Sequence, residues 1–177
     1  MINGDKNFLG KVITGDESWC FAYDPETKRQ SSEWVGEHSP RPKKLRFQKS
    51  KVKTMLILFF DSQGIVHKQF VQEGCTVNAE YYIGVLYRLI SRIRRVRPAL
   101  YRTRDFFLLH DNGPAAKIRQ FLTQKQVATL YHPPHSSVLS PPDYFLLPKV
   151  KLQLMGARFD TTKEIQKAVT DQLNKIP

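Results

Sequence analysis

Three aspartates occupy the ends of segments that a fold would hold rigid. Asp16 sits in the β-rich stretch "KVITGDESWCFAY" at 11–23. Asp111 ends the apolar run "FFLLHD", and Asp143 stands just inside a helix expected after "HSSVLSPPD". Carboxylates brought close together repel, and divalent cations remove the repulsion. Two Mg2+ ions about 3.5–4 Å apart on such a cluster activate a water and stabilise the leaving oxygen in phosphodiester cleavage. Glu17 is a poor partner for Asp16, because successive side chains on a strand point to opposite faces. Each aspartate also has a plainer reading. The Asp111-Asn112-Gly113-Pro114 run is good turn chemistry, Asp143 suits the positive end of a helix, and surface Asp is common.

For the three to meet, particular elements must position them. The run "VKTMLILFF", the turn "DSQG" and "IVHKQFVQ" predict a β-hairpin. Asn78 is an N-cap for a helix whose apolar Tyr82, Leu86, Leu89, Ile93 and Val96 step by four and three, and Pro98 ends it. "DFFLLHD" predicts the next strand, a helix over about 115–125 follows, and "VATLYH" predicts a fifth strand. After the helix near Asp143, a last helix opens with a capping box, Thr161-x-x-Glu164, and buries Ile165, Val169, Leu173 and Ile176. Strand, hairpin, helix, strand, helix, strand, helix, helix is an α/β order. It predicts one domain over 1–177, with a ribonuclease-H-like mixed five-stranded sheet flanked by helices. In such a sheet the first and fourth strands are neighbours, so Asp16 and Asp111 converge.

Charge narrows the partner. Lys and Arg number 28 against 16 Asp and Glu, a net +12, and the pI is about 9.8. A phosphate backbone attracts such an excess through counterion release and steering. A ribosomal or membrane-surface protein would share the balance. Candidate nucleic-acid contacts are Lys43, Lys44 and Arg46, in a long basic loop at 24–51 inserted between the first and second strands, and Arg92, Arg94 and Arg95 on the long helix. The run "RPKKLR" fits a nuclear-localisation patch and a solvated loop equally well. No apolar run reaches a membrane span and the first residues lack a signal peptide's apolar region, so a soluble intracellular protein is expected. Cys20 and Cys75 set no disulfide framework and are read as reduced thiols. His132 and His135 lack the further ligands of a zinc site. With no Gly-rich phosphate loop and no Ser/His or Cys/His spacing, no small-molecule substrate is expected.

Taken together, "VITGDESW", "LLHDN", "LYHPP" and "LSPPDYFLLPK" resemble the catalytic domain of mariner-type transposases, of the wider Tc/mariner superfamily. The resemblance runs through nearly the whole chain, including Trp34-Val35-Gly36. It implies that Asp16, Asp111 and Asp143 are the catalytic, metal-binding residues of a two-metal Mg2+ or Mn2+ site. It further implies cleavage of transposon ends, strand transfer into TA target dinucleotides, DNA as partner, a nuclear setting, and a homodimer formed through the 24–51 loop. There are departures from the family pattern. Only 31 residues separate Asp111 from Asp143, fewer than the family's spacing, and "GPAAK" replaces a longer stretch that carries a His. His135, Ser137 and Val138 stand where the family has Tyr, Pro and Asp. The family's N-terminal helix-turn-helix region is expected to be absent, and its last C-terminal helices incomplete. These departures predict weakened cleavage. They keep open a catalytically inactive nucleic-acid-binding module and a non-selected remnant of a transposable element.

Overall fold

The computed structural model describes residues 7–36, 38–40, 47–110, 116–133 and 136–176. Strand β1 (Val12–Phe21) is central in a five-stranded sheet. Strands β2 (Lys53–Asp61) and β3 (Gly64–Phe70) extend it antiparallel on one side. Strands β4 (Phe107–His110) and β5 (Ala128–Thr129) extend it in parallel on the other, giving the order β3-β2-β1-β4-β5. This is the expected mixed, ribonuclease-H-like sheet, and the first and fourth strands are neighbours. The hairpin reverses where the Gln63 N–H donates to Asp61 Oδ1 at 2.8 Å. Gly64 follows at φ +118°, a conformation that side chains resist.

Helices cover both faces. Helix α1 (Ala79–Val96) starts where Asn78 Oδ1 accepts the Tyr81 N–H at 2.8 Å, and it buries Tyr82, Val85, Leu86, Leu89 and Ile93. Beside it, after the short α2 (Pro98–Thr103), lies α3 (Ala116–Gln124), which adds Ile118, Phe121 and Leu122. Together they seal Ile13, Ile57, Phe59, Val66 and Leu108. On the opposite face α4 (Leu147–Leu154) and α5 (Thr162–Asn174) pack on Cys20, Leu56 and Leu58 through Leu147, Val150, Ile165, Val169 and Leu173. Each such side chain contributes roughly 1.5–3 kcal/mol by leaving water. The Thr161 hydroxyl accepts the Glu164 N–H at 3.2 Å, while Glu164 reaches back to the N–H of Asp160 rather than that of Thr161, at 3.0 Å.

Two elements differ from expectation. Pro98 does end α1, but it also opens α2, since proline is suited to a first helical turn. The fifth strand shrinks from the expected 127–132 to two residues, because among the described residues its only partner is β4 and no further strand pairs with its outer edge. The loop between β1 and β2 holds no helix or strand among its described residues. Its base is nonetheless fastened. The Arg158 guanidinium lies 4.8 Å from the Tyr23 ring and 5.3 Å from the Phe47 ring. The Gly156 N–H donates to the Asp24 carbonyl at 2.8 Å, and Gln30 Nε2 donates to the Leu152 carbonyl at 3.0 Å. Both cysteines are free, and burial pushes the Cys20 thiol up to about 11. No described helix is long and apolar enough to cross a membrane.

Candidate active site

Strand alternation decides which way Asp16 faces. Ile13 enters the core under α1, whereas Thr14 and Ser18, both buried, share the other face with Asp16 and Cys20. Gly15 lies between. A Cβ built on it would stand 2.1 Å from Phe59 Cδ1, so the ring lies directly against the β1 backbone and only glycine fits. Phe59 therefore braces the strand one residue before Asp16.

Asp143 arrives from the other side of the chain. Residues Pro142–Leu146 form a wide π-helical turn, in which the Leu147 N–H reaches the Pro142 carbonyl. Such turns are rare and recur at functional sites. The Ser140 carbonyl accepts the N–H groups of Asp143 and Tyr144 at 2.9 and 3.2 Å. Pro142 and Leu146 are buried, and Leu146 and Leu147 join the core under α4 and α5. These contacts fix the turn that carries Asp143.

The two carboxyls are near enough to act on each other. Burial, then the proximity and charge of the Asp143 carboxyl, push the Asp16 carboxyl up to about 7, against the opposing effect of the Glu17 N–H. That N–H donates to Asp16 Oδ1 at 2.7 Å. The pair thus retains a proton near neutrality, because two carboxylates this close ionise together only at a cost. Glu17 lies on the opposite face by alternation, as expected.

Asp111 lies outside the described residues, as do Lys43, Lys44 and Arg46. The last described β1–β4 pair is Gly15 with His110, the residue before Asp111. His110 is buried against α1, its ring 5.9 Å from that of Tyr82. Among the described residues no group of three His, Cys, Asp or Glu side chains is arranged to hold a metal ion. Arg92 and Arg95 line one groove, and Arg94 is not among its lining residues. At 3.6 residues per turn, Arg94 points about 200° away from Arg92.

Known proteins resemble this chain in sequence and fold. A family model described as "Transposase (partial DDE domain)" matches residues 24–103. The Mariner Mos1 transposase of Drosophila mauritiana is 31% identical over 166 residues, which span 92% of this chain and 47% of that protein. A crystal structure of the Mos1 mariner paired end complex with Mn superposes with a TM-score of 0.84 at 29% identity, over 96% of this chain and 50% of that one. The chain is a homologue of the mariner transposase catalytic domain. The crystal structure of the catalytic domain of Mos1 mariner transposase alone gives 0.74 at 28% identity, covering 97% of this chain and 74% of that one. This mariner-like chain spans about half the length of the fly relative.

Two features of this mariner-like chain's candidate site were not singled out in the sequence. Gly15 could have been flagged within "TGDES", but its need comes from Phe59, distant in the chain. The Ser140 carbonyl is a backbone group and leaves no residue-type signal.

Proposed function

We propose that the chain is the catalytic domain, over 1–177, of a mariner-type DNA transposase. It would cut phosphodiester bonds at transposon ends and join strands to target DNA with Mg2+ or Mn2+, at a rate reduced by the short Asp111–Asp143 spacing. The contact between the Asp16 and Asp143 carboxyls carries this reading. Two carboxyls held together, yet resisting joint ionisation, fit a hard divalent cation that takes oxygen ligands. Asp111 is proposed as the third ligand because its His-Asp-Asn motif resembles that of the mariner family and it directly follows His110, which pairs with Gly15 beside Asp16. When bound, such ions activate a water and stabilise the leaving oxygen.

The chain's own residues set the geometry. The Glu17 N–H fixes one oxygen of Asp16, the Ser140 carbonyl fixes the turn bearing Asp143, and the Phe59 ring braces β1 at Gly15. DNA is the partner that the +12 charge suits. Lys43, Lys44, Arg46, Arg92, Arg94 and Arg95 are proposed phosphate contacts, and a nuclear setting follows from the partner. Trp34 is fully exposed and Val35 is exposed in the long loop, which supports a homodimer formed through 24–51. The shortened spacing favours a second reading, a module that binds nucleic acid without cutting it.

Nicking of supercoiled plasmid across a Mg2+ and Mn2+ titration separates the two readings. Metal-dependent nicking that disappears in Asp16→Asn, Asp111→Asn and Asp143→Asn supports the first. Retained DNA binding with no nicking at any metal concentration assigns the second.

A further inference from the structure

A groove of about 750 Å3 opens along the outer edge of the sheet, between β3 and α1. Its cationic side chains are Lys68 on β3 and Arg88, Arg92 and Arg95 on α1, and no carboxylate is among its lining residues. Asp171 on α5 interacts electrostatically with Lys68. The three arginines step by four and three, so they share one side of the helix. At 1.5 Å per residue they cover about 10 Å. One strand of duplex DNA presents a phosphate every 3.4 Å or so along its axis, and the row therefore spans about three successive phosphates.

The groove is also partly preorganised. Arg88 Nε donates to Gln69 Oε1 at 2.7 Å, and Gln69 Nε2 donates to the Tyr81 hydroxyl at 3.0 Å. His67 lines the groove with its ring stacked on Phe59, and its buried Nε2 meets no hydrogen-bond partner among the described residues. The groove is set apart from the carboxylates. Leu58 pairs with Asp16 on one side and Lys68 on the other, so two strand spacings of about 4.8 Å separate them.

We propose that this groove is a seat for the phosphate backbone of duplex DNA, gripping one strand without reading its bases. It deepens the proposed role in DNA chemistry, but it does not require the carboxylates to cut.

The test is fluorescence anisotropy of a labelled duplex across a salt series, using the full chain. In one variant Arg88, Arg92 and Arg95 all become Gln, which preserves helix propensity. The control, Arg102→Gln with Lys163→Gln and Lys167→Gln, removes equal charge from exposed positions elsewhere. The slope of log affinity against log salt should become shallower by about 2.7 in the groove variant, at about 0.9 per phosphate contact, and by less than about 1 in the control. Ser91→Lys, which adds a cation to the groove without removing any native bond, should steepen the slope by about 0.9. Equal losses in the two triple variants, or an unchanged slope in Ser91→Lys, would overturn the proposal. Polyglutamate displacing the duplex at equal charge would assign the groove to an acidic protein instead. Because binding is measured without metal, a chain that nicks plasmid while the groove variant binds normally would sink this proposal and leave the catalytic one standing.

Discussion

Replacing Asp16 with Asn should make the metal-free protein more stable at pH 8 and leave it nearly unchanged at pH 4. Folding raises the Asp16 carboxyl from 3.8 to about 7. Between those values the folded state holds a proton that the unfolded chain has released. Stability therefore falls as pH rises through this window, and the whole loss is present above pH 7. At 1.36 kcal/mol per tenfold step the rise corresponds to about 4 kcal/mol, and solvent screening at this partly exposed carboxyl reduces it to about 2 kcal/mol. Asn has no charge to lose. For a chain of this length the gain amounts to about 4–8 °C in melting temperature at pH 8. Thermal melts in EDTA at pH 4 and pH 8 measure it. Added Mg2+ at pH 8 should then raise the melting temperature of the parent and not of Asp16→Asn, since a cation that binds only the folded site stabilises it by mass action. An Asn variant less stable than the parent at pH 8, or equally stabilised at both pH values, would refute the reasoning.

Gly15→Ala drives a methyl into the Phe59 ring, for which overpacking predicts a loss of about 1–3 kcal/mol in urea unfolding. Phe59→Leu in the same chain should restore part of it. Arg97→Met leaves the buried Asp61 carboxylate without the guanidinium that contacts it at 2.6 and 2.9 Å. Breaking such a pair costs about 3–5 kcal/mol, measurable by urea unfolding at pH 7. Inserting three residues, one a His, after Asn112 is expected to raise Mn2+-dependent plasmid nicking, and equal rates in parent and variant would show that the short segment is harmless.

Periodicity carried most of the fold. The four-and-three steps of α1, the Asn78 cap, the capping box before α5 and the alternation around Asp16 all reflect local geometry, which a sequence displays directly. The extent of β5 depended on how many residues its neighbour could pair, and α2 on whether a proline that stops one helix starts another. Asp143 was legible as a helix-end carboxylate. Its contact with Asp16 rests on a π-helical turn anchored by Pro142, Leu146 and Leu147, a tertiary fact without a local signature. The basic residues of α1 were legible as charge, but their division between groove and open surface required the helix to be set against β3.

The pairing of Asp16 with Asp143 also has a kinetic side. These residues come from nearly opposite ends of the chain, one on the first strand and the other on a turn between the last strand and α4. Contacts of such long sequence separation form after the local hairpin and helices, because loop closure must come first. Their repulsion is then largely absent from the folding transition state, and its release above pH 7 acts on the way out rather than the way in. Alkaline pH should therefore shorten the lifetime of the metal-free fold while barely slowing its formation. A cation seated between the carboxyls would serve as a latch as well as a reagent.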